Sequence, residues 1–210
     1  MLTYEDLVAS LEDAWVAAGL HEHALVESVV PSVHDRSYRV ELFPEHSDPL
    51  TAENIPPWVE VNFTWSALHQ IRSEHRNIDS EPLDLIWTYT VSAPGMHDHK
   101  DSELVRLFQK AFHRAFQRFY PEEAAEVDAP AVEVRRIYQW DRAGQRPKPA
   151  YIQLVSTNIT DLSEQWEERD PRVLANLIQT EVHFAGAFIR ALADAFNPGG
   201  RGGYRTVDAA

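Results

Sequence analysis

Two imidazoles and two carboxylates fall within residues 97–101, as His97-Asp98-His99 and Asp101, immediately before a helical pattern. Imidazole and carboxylate together suit zinc, manganese or iron, and a loop feeding a helix can turn several side chains toward one point. A divalent metal such as zinc on His97, His99 and Asp101 would make the chain a metal-dependent enzyme or an oxygen-handling protein. The two-residue spacing works against this, because His97 and His99 point to opposite sides of an extended segment. Further ligands would have to come from His21, His23, Glu181 or His183. The competing reading is a polar loop in which Asp101 caps the helix that follows. His21-Glu22-His23 repeats the pattern after a helix C-terminus, where a protonated imidazole suits the helix dipole and a cap is the simpler role.

A second group is cationic. Arg106, Lys110, Arg114 and Arg118, with His113 and Gln117, lie opposite the apolar stripe of one helical pattern. Concentrated positive charge of this kind could bind an anion, an acidic peptide or a phosphate backbone, or it could pair with the chain's own Glu122 and Glu123. A third group is aromatic. Trp58, Trp65, Trp87, Tyr89, Tyr138, Trp140 and Tyr151 fall mostly on strand patterns, where they serve either as core or as the wall of a pocket for a small apolar ligand. The sequence holds no G-x-S-x-G elbow, P-loop, dinucleotide-binding glycine pattern or HExxH. With no cysteine, disulfides, thiolate zinc sites and cysteine nucleophiles are excluded.

Composition narrows the classes further. Asp and Glu number 33 against 19 Lys and Arg, a formal charge of −14 that disfavours generic binding to nucleic acid or anionic membrane surfaces. A hydrophobic share of 44% and an aromatic share of 10% are those of a globular chain. At 210 residues it fits one domain, expected over 1–198 with a flexible tail at 199–210. Residues 1–8 lack a secretory pattern and no apolar run approaches a membrane span, so a cytoplasmic location is expected.

The elements that must position these groups follow from periodicity. Residues 3–19 read as an amphipathic helix, with Thr3 and Asp6 as a capping pair and Gly19 as the stop. Strand patterns cover 24–30, 38–43, 58–65 and 83–91, the third and fourth with the alternation of a half-buried strand. Residues 44–57 read as a loop and 66–82 as a mobile connection. A second helix spans 102–119, followed by strands at 132–140 and 150–157, a short acidic helix at 161–168, and a long helix at 170–196.

That last helix has more apolar surface than one face requires. Leu174, Leu177, Ile178, Ala185, Phe188, Ile189, Leu192 and Phe196 form a stripe, and Val182, Phe184 and Ala187 lie off it. Burial against a second subunit through Val182, Phe184, Phe188 and Ile189 is one outcome, and enclosure within the fold is the other. The element order, α-ββ-ββ-α-ββ-α, gives an α+β fold with a largely antiparallel sheet of about six strands and helices on one face. It resembles the order of the type III secretion chaperone-like fold, whose members are small, acidic and dimeric. That resemblance implies a homodimer that binds partner proteins. The expected function is therefore an acidic interaction or assembly protein, with a metal-dependent enzyme and an apolar-ligand carrier as alternatives.

Overall fold

Thr3 begins the ordered structure: its hydroxyl accepts the Asp6 N–H at 3.1 Å and the Asp6 carboxylate accepts the Thr3 N–H at 2.9 Å. This reciprocal cap satisfies donors that a helix start otherwise leaves open, and α1 (Tyr4–Ala17) follows from it. Gly19, at φ 64°, makes the left-handed exit that a side chain would resist. In the computed structural model the described residues are 3–30, 35–45, 55–69, 82–93, 95–140, 147–162 and 171–196. The elements after α1 are β1 (Leu20–Val30), β2 (Asp35–Pro44), β3 (Trp58–Trp65), β4 (Asp84–Ser92), α2 (Asp101–Phe119), β5 (Glu133–Trp140), β6 (Pro147–Asp161) and α3 (Pro171–Phe196).

The strands form one six-stranded antiparallel sheet in the order β1-β2-β3-β4-β6-β5. The expected α+β class and element order are those of the structure. After β4 the chain runs through α2 and skips a strand position, so β5 forms an edge and β6 returns between β4 and β5. The β4–β6 register is antiparallel throughout: Ala93 donates to Ile152 O at 2.8 Å, the Thr88 and Thr157 hydroxyls meet at 3.4 Å, and Leu162 donates to Leu83 O at 2.8 Å.

The chain divides into two compact units, each assembled from separate stretches of sequence: 1–42, 59–87 and 158–186 in one, 43–58, 88–157 and 187–210 in the other. In the first unit, Tyr38 lies opposite Phe63 and Val40 opposite Val61, so their side chains share a face of the β2–β3 pair. Tyr4 of α1 lies against Phe63 and Trp65 on that face, with ring centroids at 5.6 and 6.2 Å. The opposite face carries Arg39, Glu41 and Glu60, where Arg39 pairs with Glu60 at 2.6 Å and Glu41 at 3.1 Å. In the second unit, Phe188 of α3 packs on Tyr89 of β4 at 4.8 Å and against Phe108 and Phe112 of α2 at 5.3 and 5.5 Å. Edge-to-face rings of this kind add to the burial of their area.

Several boundaries moved from expectation for tertiary reasons. β1 begins at Leu20, so His21 and His23, expected just after the helix, are exposed strand residues. β6 continues to Asp161 because its polar end pairs with β4: the Trp87 indole N–H donates to the Thr160 hydroxyl at 3.0 Å, and that hydroxyl donates to Glu181 at 3.2 Å. This places Asp161 in a strand, where an acidic helix was expected to begin; 163–168 and the expected tail lie outside the described residues. At 66–69, where the expected mobile connection begins, the chain makes a capped turn of helix, and 70–81 lie outside the described residues. Ser66 N–H donates to His69 Nδ1 at 3.0 Å and the His69 N–H returns to the Ser66 hydroxyl at 3.4 Å.

Candidate functional site

Arg136 determines what the loop 97–101 can do. Its guanidinium donates to Asp101 Oδ1 at 2.7 and 3.1 Å, to the His97 carbonyl at 3.0 Å and to the His99 carbonyl at 2.8 Å. Residue 136 pairs with Ile152 in the β5–β6 hairpin, so the edge strand carries this planar donor set to the loop. Asp101 is the first residue of α2 and does not cap it; the Glu103 carboxylate accepts the Lys100 N–H at 3.3 Å instead. A fixed positive charge therefore holds the carboxylate that the metal reading assigned to an ion. Among the described residues no group of three or more His, Asp or Glu is arranged to hold a metal.

The α3 residues expected to face a partner are buried in the single chain. Val182, Phe184, Phe188 and Ile189 are each no more than 4% exposed in the single chain. Phe188 has the three ring partners described above. The apolar surplus of α3 is thus absorbed within the subunit at these four positions, because this helix is covered on more than one side. The aromatic set divides. Trp65, Trp87 and Tyr89 are core, whereas Tyr138 and Trp140 stand exposed at the end of β5.

Among the described residues two exposed surfaces stand out. Arg106, Lys110, Arg114 and Arg118 are all exposed along α2, and among the described residues none of the four has a carboxylate within 4.0 Å. The other surface is β1, at one end of the sheet. Its residues 21–23 and 25–29 are exposed, with Leu25 at 39%, Val26 at 55% and Val29 at 59%. The strand LHEHALVESVV contains no lysine, arginine or proline, and its charged residues are Glu22 and Glu27. The opposite edge is guarded: β5 carries Arg135, paired with Glu133 at 2.6 Å, and Arg136, and its register is interrupted between Ile137 and Tyr138.

No family model, curated protein or solved structure matches this chain.

Around β1 the chemistry is that of a held but open strand. The Tyr4 hydroxyl donates to Glu27 at 2.9 Å and the Ser28 and Ser37 hydroxyls meet at 2.6 Å. The Arg36 guanidinium lies 3.4 Å from the Tyr4 ring centroid and pairs with Glu5 at 2.6 Å, holding the Glu5 carboxyl below its ordinary range. Burial, followed by the bond to Glu27, pushes the Tyr4 hydroxyl well up. These contacts tie β1 to α1 and β2, and among the described residues no strand pairs with its other side. What sequence reasoning missed was this edge: the run was legible as a strand, but its place at the end of the sheet was not.

Proposed function

We propose that the protein is an interaction protein that assembles as a homodimer through the open edge of β1. The supporting observation is that β1 is a long terminal strand without lysine, arginine or proline and with Leu25, Val26 and Val29 exposed. An edge strand presents unpaired N–H and C=O groups that a second strand can complete, and the side chains then set register. A two-fold axis through an antiparallel β1–β1 pair makes the contact self-complementary, since the same patch faces itself. Centred on Leu25, such a pair sets His23 opposite Glu27 twice, an imidazole facing a carboxylate across the strands. The α3 helix has no part in this contact.

The test is light scattering coupled to size exclusion across the micromolar range. A dimer for the unaltered chain and a monomer for Val26→Lys, with unchanged circular dichroism, is the expected result. A monomer for the unaltered chain at every concentration, or a dimer indifferent to Val26→Lys, removes the proposal.

A further inference from the structure

Two sets of cations among the described residues contrast. Arg36, Arg39, Arg135 and Arg136 each hold a carboxylate at 2.6 or 2.7 Å. Arg106, Lys110, Arg114 and Arg118 hold none among the described residues, although the chain has 33 acidic residues to offer. On an α-helix a four-residue step rises about 6 Å and drifts about 40° around the axis, so the four charges form one stripe about 18 Å long. Like charges at this spacing oppose each other and weaken the helix. The acidic residues of α2, Asp101 and Glu103, sit in its first turn, where they offset the dipole and not the stripe. Near its C-terminal end Arg118 lies close to Arg190 of α3, whose guanidinium is held below its usual range first by burial and then by the charge of Arg118.

We infer that this stripe is a docking surface for an acidic helical segment of a partner protein, with carboxylates at every fourth residue. Charge and spacing both select that occupant. Carboxylates four apart on a helix repeat at the same rise of about 6 Å, so each cation meets one of them. A long polyanion is disfavoured by the net charge of −14, which repels whatever extends past the stripe by more than a Debye length of about 8–10 Å. This surface is on a different element from the proposed β1 contact, and the two can be tested separately.

The experiment is fluorescence anisotropy with the full chain. The probes are a labelled alanine-based helical peptide bearing Glu at every fourth position, the same peptide with Gln, and a labelled single-stranded oligonucleotide, each at low and moderate salt. The Glu peptide should bind, weaken with salt, and bind about tenfold or more weakly to the chain carrying Gln at 106, 110, 114 and 118, since several exposed ion pairs act together. Gln keeps helix propensity, and circular dichroism checks the fold. Val26→Lys should bind the peptide as the unaltered chain does. Equal binding of the Glu and Gln peptides, indifference to the four substitutions, or tighter binding of the oligonucleotide overturns the inference.

Discussion

Phe188 of α3 meets the rings of Tyr89, Phe108 and Phe112, and it has no exposed area. Truncating a ring in such a place removes its burial and leaves a cavity that neighbours fill only in part. Phe188→Ala should therefore cost about 3–5 kcal/mol, read as a lower midpoint in urea unfolding. A smaller loss accompanied by a change in oligomeric state would return α3 to consideration as an interface. Phe184 is a poor reporter of association for the same reason: a charge placed there would act on the fold first. Ser66 and His69 make a second residue-level point. Their reciprocal bonds are local and could have been suspected from the i, i+3 spacing, yet the polar run after them concealed the turn.

At the scale of elements, the loop before α2 is held from a strand that is distant in sequence. Arg136 bonds to the His97 and His99 carbonyls as well as to Asp101, so one side chain of β5 orders the entry to the helix. Because that guanidinium is partly exposed, Arg136→Ala should cost only about 1 kcal/mol of global stability. Its larger effect should be local, as faster amide exchange across 97–101 without a change in the β2–β3 strands. Uniform loosening of both regions would show that the clamp is not local. Neither histidine nor arginine here has a sequence signal for this arrangement, since the partner lies beyond the whole of α2.

At the scale of the whole molecule, stability against pH carries a signature of buried phenols. Tyr38 is fully buried, its hydroxyl has no hydrogen-bond partner among the described residues, and burial followed by nearby Glu12 and Glu22 raises it well above the ordinary tyrosine range. Tyr4 is raised as well. A group whose folded value is raised stabilises the fold fully below its unfolded value and loses that contribution as pH rises past it. Stability should accordingly be flat through neutrality and fall above about pH 10, where unfolded tyrosine ionises. Urea midpoints measured from neutral to alkaline pH check this. Tyr38→Phe should flatten the alkaline fall and change neutral stability by no more than about 1 kcal/mol, since it removes a hydroxyl that gains no bond. A steep loss at neutral pH would reveal a partner for that hydroxyl.

Much of the fold was legible in the chain because the deciding signals are local. Thr3 with Asp6, the alternation from Trp58 to Trp65 and the apolar repeat of α2 each report periodicity or capping within a few residues. The stripe of Arg106, Lys110, Arg114 and Arg118 was equally readable, since helical spacing alone puts the four on one face. Strand order was not readable, and strand order decided the candidate surfaces. That β6 returns inside β5, that β1 is left open, that Arg136 meets Asp101 and that α3 is covered by its own subunit all depend on long-range pairing. Burial is settled by what packs around a residue, and no span of sequence short enough to read by pattern contains that neighbour.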